Sequence, residues 1–278
     1  MARITKLLTV AAYNRDILLE CDGTSNMTLE IESVWLDFGG ISALSDIHFS
    51  VEEGKISSII GPNGAGKTSL LNCITGIYKP RSGSIRFSGQ ELLGQKPHQI
   101  SNLGIARTFQ NVELFNRLTV LDNLLLGRHN SIKSNFLMSG IFWGRACREE
   151  IKHRRRVEEI IDFLEMEKWS KHKVGNLPYG IQKRTELGRA LSMDPKILLI
   201  DEVSSGMNVE ETEDIARFIL DIKEEMEITI ILVEHDMRVV MDISDRIMVL
   251  DFGKKIAEGT PDEIKRDPAV IRSYLGGQ

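Results

Sequence analysis

Residues 55–68 read Lys55-Ile56-Ser57-Ser58-Ile59-Ile60-Gly61-Pro62-Asn63-Gly64-Ala65-Gly66-Lys67-Thr68. The run up to Ile60 has the length and apolar content of a buried strand, and the segment from Gly61 to Thr68 fits the G-x-x-x-x-G-K-[ST] pattern. Helical composition follows from Ser69 to Ile77, closed by the turn formers Lys79-Pro80-Arg81-Ser82-Gly83. A strand, a glycine-rich loop and a helix in that order make an anion cradle. The glycines let backbone N–H groups curl around phosphate oxygens, and the helix aims its positive end at the same charge. In such a loop Lys67 reaches the outer phosphates and the Thr68 hydroxyl suits Mg²⁺. The candidate nucleotide-binding residues are therefore Gly61, Pro62, Asn63, Gly64, Ala65, Gly66, Lys67, Thr68 and Ser69.

On the N-terminal side of the loop, Leu29, Ile31 and Val34 suggest a strand, Phe38-Gly39-Gly40 a turn, and Ile47, Phe49 and Val51 a half-buried strand. Residues 1–26 carry no clear period and read as an extension before a domain over 27–278. Residues 119–173 are mostly helical in composition, with a polar break at 128–135 and a charged amphipathic run from Arg148 to Trp169. A second α/β stretch then gives a helix over 181–193, a strand Lys196–Ile200, a helix over 210–226 and a strand Ile228–Val233. A short strand Ile247–Leu250, a turn Asp251-Phe252-Gly253 and a helix over 261–275 complete the chain. Strands alternating with helices imply an α/β fold with a largely parallel sheet covered on both faces.

Asp201 and Glu202 end an apolar strand. Alone they would read as solvated charges; with a phosphate loop upstream, Asp201 orients Mg²⁺ and Glu202 polarises an attacking water. Glu234-His235 ends the next strand, at the edge where open α/β sheets place their ligands, so His235 reads as a sensor of the terminal phosphate.

Composition narrows the classes. The 278 residues are 42% hydrophobic and 27% charged, ordinary values for a globular protein. With 35 Lys and Arg against 40 Asp and Glu, the net charge of −5 argues against a dedicated nucleic-acid binder. Cys21, Cys73 and Cys147 show no metal-type spacing, and no apolar run approaches membrane-spanning length. Arg3 and Lys6 precede a short apolar stretch that matches a signal peptide only thinly, so a cytoplasmic chain is the expectation. Cys73, on the helix after the loop, reads as core.

These motifs in this order resemble the ATP-binding subunit of ABC transporters over about residues 28–278. The resemblance implies a P-loop NTPase (ABC ATPase) core with a largely parallel sheet, an antiparallel β-subdomain and an α-helical subdomain inserted at about 111–190. It implies ATP and Mg²⁺ as ligands. Gln110, in Thr108-Phe109-Gln110-Asn111, looks like the glutamine that touches Mg²⁺ and the water and couples to the membrane subunits. Ser205-Gly206-Met207-Asn208 looks like the D-loop, and His235 like the switch histidine. Phe38 matches the aromatic that stacks on adenine, with Trp35 as its substitute; a core role for Phe38 is the alternative.

The family's signature Leu-Ser-Gly-Gly-Gln reads here Leu177-Pro178-Tyr179-Gly180-Ile181. Pro178 offers neither a hydroxyl nor an N–H, which leaves Tyr179 and Gly180 amides at a helix start to meet phosphate. By resemblance, the P-loop and signature meet only across a head-to-tail dimer. The altered signature would weaken the composite site that it helps to build.

A narrower resemblance is to the ATP-binding subunit of branched-chain (hydrophobic) amino acid importers. It rests on Leu-Pro-Tyr-Gly followed by Lys183-Arg184-Thr185-Glu186-Leu187, on the long stretch between Gln110 and Leu177, on Leu124-Leu125-Leu126-Gly127-Arg128-His129 and on the tail Ser273-Tyr274-Leu275-Gly276. It implies a heterodimer with a second ABC ATPase, two transmembrane permease subunits, an extracytoplasmic solute-binding protein and a peripheral place on the cytoplasmic face of the inner membrane. Residues 128–156 are rich in Lys and Arg around Phe136-Leu137-Met138 and Ile141-Phe142-Trp143; they read as a helical-subdomain core with solvated charges, or as a contact with the membrane surface or permease.

Other classes fit less well. A soluble ABC ATPase acting on ribosomes or nucleic acid would usually carry two cassettes or a long coiled coil, whereas this chain has one P-loop and no sustained heptads. A P-loop kinase would transfer phosphate, whereas Glu202, Gln110 and His235 favour water as the acceptor. Other solutes, such as urea, amides or lipid, stay open.

Overall fold

The computed structural model describes residues 27–108, 114–129 and 145–275. The N-terminal extension 1–26, Gln110 with Phe109 and Asn111, the apolar runs at 136–138 and 141–143, and Gly276 lie outside the described residues. The chain divides into two compact units, one formed by 1–97 with 216–278 and the other by 98–215.

In the first unit, β1 (Met27–Phe38) and β2 (Ile41–Glu52) form an antiparallel hairpin that pairs Phe38 with Ile41 across a two-residue turn. β4 (Ser82–Phe87) adds to the other side of β1, and the short β5 (Gln90–Glu91) follows it, giving the order β2-β1-β4-β5. β4 starts inside what the sequence marks only as a turn: Gly83 packs so tightly on the Glu32 and Ser33 carbonyls that a side chain there would clash.

β3 (Ile56–Ile60) runs parallel to both β8 (Thr229–Val233) and β9 (Arg246–Asp251), and β10 (Lys254–Gly259) turns back antiparallel on β9. Every residue of β3 and β8 is buried, which is why both read as unbroken apolar runs rather than alternating ones. Ile60, Val240, Ile247, Val249, Ile264 and Val270 form one apolar cluster. Each fully buried aliphatic side chain there contributes about 1.5–3 kcal/mol.

The second unit carries β6 (Ile105–Arg107) parallel to a fully buried β7 (Ile197–Asp201) and the helices Val120–Gly127, Arg145–Phe163 and Tyr179–Leu191. On helix 145–163 and the residue after it, His153, Val157, Ile160, Ile161 and Leu164 are buried, the i, i+3, i+4 spacing of one helical face. Its charges engage neighbours: Arg154 pairs with Glu158, and Arg156 with Glu159 and Asp194.

Several boundaries differ from expectation, and two of them have a clear local cause. The helix after the P-loop begins at Lys67 rather than Ser69, because a left-handed Gly66 (φ 104°) turns the chain directly into it. The C-terminal segment is two helices, Pro261–Arg266 and Pro268–Leu275. Asp267 is extended (ψ 119°), the conformation that a following proline imposes. Thr260 and Glu263 close the start of the first of these with a capping box.

Candidate nucleotide site

The phosphate loop leaves the carboxyl end of β3. Its anchor points are buried and its tip is open: Ala65 and Lys67 are buried, whereas Asn63, Gly64 and Thr68 are exposed and Pro62 and Ser69 intermediate. The Ala65 carbonyl accepts the Gly253 N–H at 3.0 Å, and the Gly253 carbonyl accepts the Ser45 N–H at 2.7 Å, so the β9–β10 turn ties the loop to β2. Two positions have no room for a side chain. A Cβ on Gly61 would lie 2.0 Å from the Leu250 carbonyl oxygen, and one on Gly66 2.8 Å from that of Ala43. The Lys67 ammonium donates to the Gly61 and Pro62 carbonyls at 2.8 and 3.2 Å, held across the loop mouth. The helix Lys67–Ile74 has no acidic residue in its first turn, so nothing there competes with an anion.

The register pairs Ile59 with Val233, which brings Glu234 and His235 to the same sheet edge as the loop. Glu234 is buried and accepts the His235 N–H at 3.1 Å, while His235 is exposed. Asp236 caps the following helix, Met237–Ile243, through the Arg238 N–H.

Phe38 is 46% exposed at the hairpin tip, two residues past the Leu36–Leu44 pair whose Leu44 abuts Gly66. Tyr78 packs against it edge-on with ring centroids 5.0 Å apart. Trp35 instead lies under Arg81, which also pairs with Asp37 at 2.7 Å. The open ring face therefore belongs to Phe38. Cys73 is buried, and burial pushes its thiol up to about 12, which makes it chemically inert.

In the second unit, Asp201 closes β7 and Glu202 follows in the left-handed region (φ 49°). No motif marks Arg107, whose guanidinium donates to Asp201 Oδ2 at 2.6 Å with both side chains almost fully buried. Asp201 Oδ1 is buried and has no hydrogen-bond partner among the described residues. That oxygen, and the exposed Thr68 hydroxyl of the other unit, are each the hard donor that Mg²⁺ prefers, so the residues present fit that ion.

The signature region forms its own assembly. Pro178 precedes the helix without a side-chain cap, and its carbonyl accepts the Ile181 and Gln182 N–H groups. The amides of Tyr179 and Gly180 are those that helical geometry leaves without an intrahelical acceptor. The Tyr179 hydroxyl donates to the Ser205 carbonyl at 3.1 Å. Gly180 lies against Glu211, which accepts the Asn208 N–H, while Asn208 Oδ1 accepts the Glu211 N–H. Signature, Ser205 and Asn208 are thus joined within one unit.

A glycine-lined anion loop on a parallel strand, with a histidine at the neighbouring strand end, defines a P-loop nucleotide-binding α/β protein. A profile described as ABC transporter matches residues 44–205, and one described as Branched-chain amino acid ATP-binding cassette transporter matches residues 254–278. The high-affinity branched-chain amino acid transport ATP-binding protein BraF of Pseudomonas aeruginosa is 41% identical over 255 residues, covering 91% of this chain and 99% of that one. Its counterpart LivG of Escherichia coli is 40% identical over 256 residues, at 91% and 99% coverage. The crystal structure of a nucleotide-free ATP-binding cassette from an ABC transporter matches with a TM-score of 0.78 at 33% identity, covering 89% of this chain and 98% of that one. The chain belongs to the ABC transporter family, as an ABC ATPase.

Proposed function

We propose that this chain is the ATP-binding and ATP-hydrolysing subunit of an ABC importer for branched-chain amino acids or a related small solute. The likeness to BraF and LivG along nearly the whole chain supports the solute class. The observation that carries the chemistry is the open-tipped loop with the Lys67 ammonium across its mouth.

The loop amides and Lys67 hold the β- and γ-phosphates, and Phe38 stacks on adenine. Thr68, Asp201 and Gln110 would hold Mg²⁺, which would supply positive charge to offset that of the phosphates. Glu202 accepts a proton from the water that attacks the γ-phosphorus, and His235 orients the terminal phosphate. Pro178, Tyr179 and Gly180, with Ser205 and Asn208, meet the nucleotide of a second ABC ATPase in a head-to-tail dimer, in keeping with the dimeric cassette bound to ADP and Pi at 26% identity and TM-score 0.71. The likeness to branched-chain amino acid importers supports a different ATPase chain as that partner, in which case Leu177-Pro178-Tyr179-Gly180-Ile181 would make one composite site weaker than the other.

The dimer sits on two permease subunits at the cytoplasmic face of the membrane, with the helices between 120 and 191 as the inserted arm and a solute-binding protein outside. No described helix is long and apolar enough to cross a membrane. ATP favours the closed dimer, and its hydrolysis releases that state.

The test is a trap. Glu202→Gln retains ATP but turns over about a thousandfold more slowly, about 4 kcal/mol in barrier. Loaded with Mg-ATP and solubilised gently, it should bring down two membrane proteins and a second ATPase. Ribosomal or nucleic-acid companions would refute the importer, and wild-type hydrolysis would remove Glu202 from the chemistry.

A further inference from the structure

The third signature position, a glycine in Leu-Ser-Gly-Gly-Gln, is Tyr179 in this chain. Its amide stays at the helix start, whereas its side chain reaches the segment that follows Glu202 in the same unit. The hydroxyl donates to the Ser205 carbonyl at 3.1 Å. Gly206 lies against the ring, since a side chain there would begin 3.4 Å from Cε1. One helical turn on, the fully buried Lys183 places its ammonium 5.9 Å from the ring centre and 3.5 Å from Glu186 Oε2. A buried ion pair on the same helix face thus backs the ring and limits its motion. Burial first, and then the charge of Glu186, hold the phenol above its ordinary pKa, so the oxygen keeps the proton that it donates.

Ser205 is also the next link to Glu202. Its N–H donates to the Glu202 carbonyl at 3.3 Å, and the Met207 N–H donates to the Ser204 carbonyl at 3.0 Å. These two turns leave directly from left-handed Glu202. The first of the bonds is longer than the usual N–H···O range, so the turn holds itself only weakly. The bond from Tyr179 ties it to a helix of 13 residues, a far stiffer element than the turn. A glycine at 179 would leave the turn without that bond.

We propose that Tyr179 is a positioning residue for the hydrolytic site of its own chain: its hydroxyl fastens the turn after Glu202 to the signature helix. The helix start that meets a second ATPase's nucleotide then also sets how Glu202 is held. The inference rests on the ATP-hydrolysing, dimeric reading above. It divides one residue between two sites, with the Tyr179 amide serving the partner's nucleotide and the hydroxyl serving its own carboxylate.

Tyr179→Phe in the full chain removes one oxygen and keeps the ring. Hydrogen–deuterium exchange without nucleotide should show the Ser205 and Met207 amides exchanging faster by about 2- to 12-fold, the span of one net hydrogen bond. With Mg-ATP, kcat of the assembled complex should fall by up to the same factor while Kd for ATP stays within about twofold. A merely structural tyrosine would lower the melting temperature and leave both the turn's exchange and kcat alone. Tyr179→Leu, which loses ring and hydroxyl together, should slow turnover at least as far. A slow Leu variant beside a Phe variant with parental kcat would assign the effect to the ring and overturn the hydroxyl's role. Unchanged exchange at Ser205 and Met207 in Tyr179→Phe overturns the proposal outright. Failure of the unaltered chain to bind ATP would refute the nucleotide reading instead, and the exchange result, taken without nucleotide, stands apart from that.

Discussion

Arg107 and Asp201 form an ion pair at 2.6 Å, with side-chain exposures of 6% and 2%. Replacing Arg107 with Met keeps much of its volume and removes its charge. Asp201 is then left at the end of β7 with a buried, uncompensated carboxylate. Breaking a buried pair from one side costs about 3–5 kcal/mol, a large part of the roughly 5–15 kcal/mol that holds a folded domain. At about 2–4 °C per kcal/mol for a chain of this size, Arg107→Met should melt about 6–20 °C below the parent. Urea unfolding should show the same loss at an unchanged m-value. Adding Asp201→Asn removes the stranded charge and should return most of the stability, so the double variant lies well above the sum of the single losses. Arg107→Met within about 1 kcal/mol of the parent, or strictly additive variants, would show that the pair behaves like a solvated one and would refute the reasoning.

Glu202 occupies left-handed backbone at φ 49°, which costs a side-chain-bearing residue about 1–2 kcal/mol. Glu202→Gly should therefore unfold at higher urea than Glu202→Ala, by about 1 kcal/mol, although both lack the carboxylate; an Ala variant as stable as the Gly one would contradict the strain. His153 is held neutral, its pKa lowered first by burial and then by Arg128, whose Nε donates to Nδ1 at 3.1 Å. Glu149 and Asp194 pull the other way, and Lys152 adds to Arg128. Because the folded pKa lies below the ordinary 6.5, this stability is complete above pH 6.5 and is lost as pH falls through the folded value. His153→Asn, which keeps an acceptor for Arg128, should flatten stability between pH 7.5 and 5; the same acid slope in that variant would remove His153 from the cause.

The loop at Gly61–Thr68 and the buried strands around it were legible because their signals are local: a glycine spacing and apolar runs of strand length. The strand-end placement of Glu234 and His235 followed from the same logic, and the Ile59–Val233 register realises it. Arg107 was not legible. It lies 94 positions from Asp201 and sits in a three-residue strand without a motif of its own. Phe38 was preferred to Trp35 on resemblance alone, and the local sequence did not show that Arg81, just ahead of β4, covers the Trp35 ring and pairs with Asp37 of β1. The break at Asp267 was present as a proline and was overridden by the helical composition on either side.

Gly61 and Gly66 face a second demand besides phosphate. Their α-carbons are shut in by Leu250 and by Ala43 with Leu44, whereas nothing lies within 4 Å of where a side chain on Gly64 would begin. A descendant of this chain that lost its taste for ATP would still need hydrogen at 61 and 66 merely to close its own walls. The motif can thus outlive the activity as a fossil of masonry, and Gly64, held to glycine by its φ of 81° but not by any wall, is the place to look for erosion first.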